Sequence, residues 1–205
     1  MKLYWSSRSP YVRKVMMAAH EMGVVDRFDC ERTIVSAFAQ NPDMLAVNPL
    51  GKIPTLVLDD GTALYDSPVI CEHLDGLHDG DKLFPAAGPE RFRALTWLAL
   101  GDGLLGRLLA RMYEERTRTE EQRSEKLQEA IAGKLKSSLD ALDSQAPELE
   151  KAPVCIGHVS IMCALGYLDF RFEDDWRGPR PALAAWHKSF AARPSVVATE
   201  PEDVY

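Results

Sequence analysis

Two prolines, Pro54 and Pro68, constrain this chain more than any other feature. The run Asn48-Pro49-Leu50-Gly51-Lys52-Ile53-Pro54-Thr55-Leu56-Val57-Leu58 is a turn, then an X-Pro bond placed directly before an apolar stretch. Proline has no N–H to give a sheet ladder, so Pro54 belongs at a strand start or a bulge. Its neighbour Ile53 then has backbone groups free to pair with something else. The second piece, Asp66-Ser67-Pro68, reads as a helix start. Ser67 is the expected N-cap and Pro68 the first helical residue, with Val69, Ile70, Leu74 and Leu77 on one face. A helix N-terminus with a hydroxyl cap attracts anions. An extended backbone edge beside it can hold a small peptide that carries a carboxylate.

Around these two pieces the first third of the chain alternates short apolar runs with helical patterns, an α/β arrangement. Residues 2–5 read as a strand. Residues 10–22 read as a helix, with Ser9 as N-cap and Gly23 at its end. Residues 27–32 read as a second strand, and a poorly periodic segment follows to Val47. Residues 55–58 and 63–65 form a hairpin around Asp59-Asp60-Gly61-Thr62. Residues 67–78 close the unit. This order, βαβ then ββα, is the thioredoxin-like one.

Residues 79–88 are rich in Gly, Asp, Pro and Ala and read as a linker. No strand is legible beyond them. Leu95, Leu98, Leu104, Leu105, Leu108, Leu109 and Met112 recur at helical spacing, as do Leu127, Ile131, Leu135, Leu139 and Leu142. The charged stretch 120–136 reads as a solvated helix face. Residues 155–171 are apolar nearly all round, which marks a buried central helix. Residues 181–191 are a further helix with Leu183, Trp186 and Phe190 inward. The expectation is a thioredoxin-like α/β domain over 1–78, the linker 79–88, and an all-α helical-bundle domain over 89–205. The tail beyond Arg193 is expected to lie loosely on the surface.

Charge and cysteine usage narrow the function classes. With 31 acidic against 24 basic residues in 205, nucleic acid is a poor partner. No apolar run is long enough to span a bilayer, and no signal-peptide pattern opens the chain, so no membrane partner and a cytoplasmic location are expected. Cys30, Cys71, Cys155 and Cys163 lack CxxC spacing, which argues against zinc and a disulfide framework. Cys30, Cys71 and Cys163 fall on apolar positions and are expected to be buried and inert. The five histidines are dispersed, and no metal is expected.

The quoted motifs, with the opening Met1-Lys2-Leu3-Tyr4-Trp5-Ser6-Ser7-Arg8-Ser9-Pro10-Tyr11-Val12-Arg13-Lys14-Val15 and with Ala164-Leu165-Gly166-Tyr167-Leu168-Asp169-Phe170-Arg171, resemble the glutathione transferases. The likeness runs from Met1 to about Arg193 and is strongest to a small bacterial YibF-like branch. It implies an enzyme that conjugates the glutathione thiolate to a small electrophile, as in detoxification. The co-substrate is then glutathione, no metal is needed, and the assembly is a homodimer. Two other classes share the fold: a glutathione-dependent reductase or peroxidase, and a non-catalytic binding or regulatory protein.

Ser9-Pro10-Tyr11-Val12 stands where glutaredoxins carry Cys-Pro-Tyr-Cys, so a dithiol cycle at this place is excluded. The hydroxyl that remains can donate a hydrogen bond to a bound thiolate. The resemblance makes Ser9 the catalytic residue, ahead of Ser6, the choice of a zeta-like pattern, and of Ser7. It gives Ile53 the backbone contacts to the cysteine part of glutathione, across a cis bond to Pro54. It gives Asp66 and Ser67 the γ-glutamyl end: Ser67 the α-carboxylate, Asp66 the α-ammonium. Lys52 can touch ligand or simply be solvated. Tyr11 and, from residues 101–113, Leu104, Leu108, Arg111 and Met112 are candidates for the electrophile's surroundings.

One departure is legible. In this family the central helix opens on a Ser/Thr-x-x-Asp capping box, and here those places hold Cys155 and His158. Neither residue type is expected to restore the reciprocal bonds, which puts the nucleation of that helix in question.

Overall fold

A computed structural model describes residues 1–36 and 38–203. The chain divides into two compact units. One holds residues 1–86 with the segment from Pro194 onward, and the other holds residues 87–193.

In the first unit, β1 (Lys2–Trp5), α1 (Pro10–Met22), β2 (Asp29–Arg32), α2 (Pro42–Val47), β3 (Thr55–Val57), β4 (Ala63–Leu64) and α3 (Ser67–Asp75) follow in order. The strands form one mixed sheet in the order β2-β1-β3-β4. β1 runs parallel to β2, with Leu3 opposite Cys30, and antiparallel to β3, with Leu3 opposite Leu56. The β3–β4 hairpin pairs Leu56 with Leu64. This is the thioredoxin-like arrangement expected. Its centre is Leu3, Leu56, Val15, Ala18, Ile70, Cys71 and Leu74, all fully buried.

Local chemistry explains the helix ends. Ser9 accepts from the Val12 N–H at 3.3 Å, and Pro10 opens α1 with no N–H to satisfy. Gly23 ends α1 at φ 67°, in the left-handed region that costs glycine least. α2 was not expected, although its signal is present: Asn41 caps it by accepting from the Met44 N–H at 3.1 Å, and Pro42 follows. β2 begins at Asp29 because residues 25–27 form one tight helical turn. It lies at the sheet edge, so Cys30 is exposed, contrary to the expectation of burial. Desolvation of its sulfur, with the Asp29 charge adding, pushes the thiol above its ordinary value and away from reactivity.

The linker is pinned. Asp75 is buried at the end of α3 and accepts from the Leu83 and Phe84 N–H groups at 2.9 and 3.1 Å. The tail departs from expectation too. Instead of lying loosely, α8 (Pro194–Val197) buries Ser195 and Val196, and the Ser195 hydroxyl bonds Glu21 on α1. Further on, Arg8 meets Asp203 at 2.7 Å, and the Ser7 hydroxyl donates to the Glu202 carbonyl at 3.1 Å. The helical domain expected over 89–205 therefore gives up its last residues to the first unit.

The second unit is helical: α4 (Gly88–Thr117), α5 (Glu125–Lys151), α6 (Ile156–Arg171) and α7 (Pro181–Ala191). α4 and α6 approach closely at two glycines. A Cβ on Gly101 would stand 2.5 Å from the Ser160 hydroxyl, and one on Gly157 would stand 2.4 Å from the Trp97 Cβ.

The α6 start corrects the sequence reading. Cys155 and His158 do form a capping box. The Cys155 N–H donates to His158 Nδ1 at 3.1 Å, and the His158 N–H returns to the Cys155 sulfur. Imidazole supplies the acceptor that Asp usually provides at this place, and the sulfur replaces the hydroxyl oxygen. His158 Nε2 reaches the Leu149 carbonyl at 3.0 Å, so its hydrogen bonds assign the neutral tautomer with the proton on Nε2. Burial holds its pKa below the ordinary value, and the Arg93 and Arg193 charges push the same way.

Candidate functional site

The predicted residues gather around α1. Ser9 caps it and is part-exposed. Its bond to Val12 uses an oxygen lone pair, so the hydroxyl proton remains for an acceptor. Ser6 is in a similar position, since its oxygen accepts from the Arg8 N–H at 3.4 Å. Ser7 differs, because its proton is given to Glu202. That contrast ranks Ser7 last among the three.

Ile53 reaches α1 through packing. It clusters with Val12 and Met44, and Trp5, Tyr4, Met16, Val35 and Val47 pack around them. The Ile53–Pro54 bond is cis, and the Tyr65–Asp66 bond is cis as well. The β1–β3 pairing ends at Tyr4 opposite Thr55, before Pro54, so Ile53 lies beyond the ladder. The loop carrying Ile53 is held by a residue that the sequence reading had not singled out. Asn48 is buried, donates to the Lys52 carbonyl at 3.1 Å and to Thr55 Oγ1 at 2.9 Å, and accepts from the Leu50 N–H at 2.9 Å. An asparagine followed by proline and glycine signals a turn, but its role as the loop's internal clamp needs the tertiary structure.

α3 starts one residue earlier than expected. Asp66, not Ser67, holds the N-cap position; its side chain makes no capping bond, and the residue is exposed. Ser67 is the first helical residue and is fully buried. Its hydroxyl accepts from Lys14 Nζ at 3.1 Å, and Lys14 is itself fully buried on α1. Lys14 was missed because a lysine in a helix is ordinarily solvated. Its flanking apolar residues Val12, Val15 and Met17 were the only sequence signal that this stretch of α1 is enclosed. Thus one helix touches all three elements: Ser9 at its tip, Ile53 through Val12, Ser67 through Lys14.

The remaining candidates sort by contact. Tyr11 is half-buried, with Lys14 Nζ 5.2 Å from its ring centre. Lys52 is exposed. In the helical unit Leu104 and Leu108 are core. Arg111 is engaged by Glu115 and Asp174 and lies over the Phe172 ring, and Met112 accepts from the Tyr167 hydroxyl at 3.4 Å. A cleft of about 570 Å³ lies in that unit between Arg93, Gln145, Pro147 and Glu148 and includes none of the predicted residues. Among the described residues no group of three or more His, Cys, Asp or Glu side chains is placed to hold a metal ion. No described helix is long and apolar enough to cross a membrane.

Comparison with known proteins bears on the family and the fold. Residues 8–77 match the glutathione S-transferase N-terminal domain. The GST-like protein YibF of Escherichia coli (strain K12) is 32% identical over 98% of both chains. A glutathione transferase family member from Pseudomonas fluorescens Pf-5, solved with bound glutathione, is 40% identical over 98% of both chains, with a TM-score of 0.94. A glutathione S-transferase from Methylobacillus flagellatus KT with glutathione bound is 32% identical over 98% of this chain and 99% of that one, with a TM-score of 0.86. The matched N-terminal domain, the sequence identity over the whole length and the shared fold agree: this chain belongs to the glutathione transferase family.

Proposed function

We propose that this protein binds glutathione in its first unit and transfers the thiolate to a small electrophile. The observation that carries the reading is the convergence on α1 of the Ser9 hydroxyl, the Ile53–Pro54 loop and the start of α3. These are three separate recognition chemistries. The backbone of Ile53, beyond the end of the sheet ladder, takes the cysteine part of the peptide. The start of α3 takes the γ-glutamyl end, where Asp66 answers the ammonium and Ser67 the carboxylate. Ser9 donates to the sulfur, which favours the thiolate over the thiol. The thiolate then forms a carbon–sulfur bond as the leaving group departs with the electron pair. The glutathione-bound relatives support the co-substrate. A cytoplasmic homodimer belongs to the same reading, and light scattering on the purified protein tests the assembly.

Saturating glutathione is expected to raise the melting temperature by mass action, since it binds the folded state alone. No thermal shift together with no calorimetric signal rejects the binding claim. Conjugation is separated from reduction by a panel of aryl halides, organic peroxides and mixed disulfides. Turnover of halides with release of halide supports transfer. Turnover of peroxides or disulfides alone, with oxidised glutathione as product, rejects it.

A further inference from the structure

The C-terminal segment is held firmly at its base and lightly at its tip. At the base, α8 buries Ser195 and Val196, the Ser195 hydroxyl bonds Glu21, and Arg13 on α1 donates to the Val196 carbonyl at 3.5 Å. The Thr199 hydroxyl donates to the Ser195 carbonyl at 2.7 Å and closes a turn there. The tip, Glu200-Pro201-Glu202-Asp203, carries three carboxylates and lies on the loop between β1 and α1. It meets two consecutive residues of that loop. Ser7 donates its hydroxyl proton to the Glu202 carbonyl, and Arg8 Nε meets an Asp203 carboxylate oxygen at 2.7 Å. The Arg8 side chain is 25% exposed and that of Asp203 53%. An ion pair this open to water contributes little and exchanges readily with other partners. The next residue along the loop is Ser9, with its Cα about 3.8 Å from that of Arg8.

We propose that Arg8 is a specificity-determining residue: it seats a carboxylate on the group joined to the ligand's sulfur, and Asp203 is the built-in competitor for that seat. The electrophiles so selected are small molecules that carry a carboxylate. The proposal rests on the glutathione reading, which puts the sulfur beside Ser9. A guanidinium is a planar fork of donors that fits a carboxylate and keeps its charge at any working pH. What lies on Arg8 in this structure is that same chemical group, brought from the far end of the described chain. The fixed base of the tail keeps Asp203 at a high local concentration beside Arg8, so even a weak contact competes. The weakness of the contact lets a ligand carboxylate, with the rest of the peptide already bound, displace it. Glu202 has a different part, because it meets the loop through its backbone carbonyl.

Calorimetry on the full chain compares S-(4-carboxybenzyl)glutathione with S-(4-carbamoylbenzyl)glutathione, an acid and its neutral amide, with glutathione itself as the third ligand. Both conjugates are thioethers, so effects on a thiolate drop out and no turnover is needed. The quantity read is the preference for acid over amide. Wild type is expected to prefer the acid. Asp203→Asn should raise that preference about threefold, the scale of an exposed ion pair. Arg8→Gln should lower it about threefold or more, while glutathione affinity stays within about twofold, the scatter of a surface change. Arg8→Lys keeps the charge without the fork and should fall between. In the Arg8→Gln/Asp203→Asn pair the Asp203 substitution should no longer matter, because both act on one seat. Glu202→Gln should move the preference less than Asp203→Asn. If Asp203→Asn acts as strongly in the Arg8→Gln background as in wild type, or Glu202→Gln matches it, the tail is only a diffuse negative field and the proposal fails. A preference absent from wild type and Asp203→Asn alike, or untouched by Arg8→Gln, overturns it too and leaves the glutathione site standing. If wild type binds none of the three ligands, the glutathione reading falls and the proposal with it.

Discussion

Two helix starts in this molecule use their polar groups in opposite ways. α6 opens inside the helical unit, and its capping groups close on each other: Cys155 with His158, and His158 with the Leu149 carbonyl. The imidazole also stacks on Phe190 and meets Trp97 edge-on at 5.2 Å. α3 opens at the surface with its cap undone. Asp66 makes no capping bond, and the Ser67 hydroxyl accepts from Lys14 Nζ. A closed cap spends its donors on stability. An open cap gives up that stabilisation, about 1 kcal/mol, and keeps its donors for a ligand. The difference teaches that a helix N-terminus is read for function by where its side chains go, since the residue types alone are ambiguous.

The largest effect should come from opening the closed cap. His158→Ala removes bonds to Cys155 and Leu149 and the ring packing, and should destabilise the helical unit by about 3 kcal/mol, as losses from buried hydrogen-bonded networks do. Denaturant unfolding measures this, and glutathione affinity of the folded variant should be unchanged. A loss below about 0.5 kcal/mol, the level of a surface substitution, would show that the cap is incidental.

The same residue gives a pH test. Burial lowers the His158 pKa in the folded state, so below the ordinary value of about 6.5 the unfolded chain binds the extra proton. The stabilisation is therefore complete above that value and declines as pH falls toward the folded pKa. Protonation would also put a hydrogen on Nδ1, where the Cys155 N–H now donates. Unfolding free energy should drop from pH 7 to pH 5 more steeply in wild type than in His158→Gln. Equal slopes would break the assignment.

Opening the comparison from the other side is the next largest effect. Asp66→Ala removes no capping bond, so stability should hold, while glutathione affinity falls roughly tenfold or more through loss of a charge-assisted contact. Lys52→Ala, exposed and beside the loop, should matter less. Equal losses in the two variants would reject the γ-glutamyl assignment.

The contrast also shows what the sequence could and could not yield. The strands, α1 with its serine cap and glycine stop, and the hairpin follow from local chemistry, and that chemistry is written in adjacent residues. α2 hid because six residues are too few to show a period, though Asn41-Pro42 announced it. The α6 cap hid because cysteine and histidine are rare substitutes for serine and aspartate, and only the reciprocal geometry identifies them. Lys14 and the returning tail hid for a different reason. Their partners, Ser67 for Lys14 and Ser7, Arg8 and Glu21 for the tail, are far away in sequence, and which residues meet across such separations is a property of the fold. The candidate site was legible wherever a motif carried it. The groups that support it from behind, Asn48 and Lys14, were not.

A smaller effect tests the thiolate. Ser9→Ala should raise the pKa of bound glutathione by about one unit, since one hydrogen bond to the ionised form is lost and one unit is about 1.4 kcal/mol. Affinity should change little, because the ends of the peptide carry most of the binding. Thiolate absorbance against pH, with glutathione saturating, decides among Ser6→Ala, Ser7→Ala and Ser9→Ala. Ser7→Ala should be silent, because its proton is already given to Glu202. A titration that moves with Ser6→Ala alone would transfer the role to Ser6. If none moves it, the N–H groups and dipole of α1 hold the sulfur without a side chain.

The smallest effect concerns the tail over that same loop. Arg8 and Asp203 are both partly exposed, so their ion pair should contribute less than about 1 kcal/mol and fade with salt. Asp203→Asn should leave the melting temperature within a degree or so, as expected of a surface substitution of this size. Its consequence lies in the loop: Arg8 stands next to Ser9, and removing the Asp203 charge makes the field near the thiolate more positive. The pKa of bound glutathione should then fall slightly in Asp203→Asn, opposite in sign to Ser9→Ala. A shift upward, or a loss of stability beyond about 1 kcal/mol, would show that the tail is a structural strap and not a charge placed against the loop.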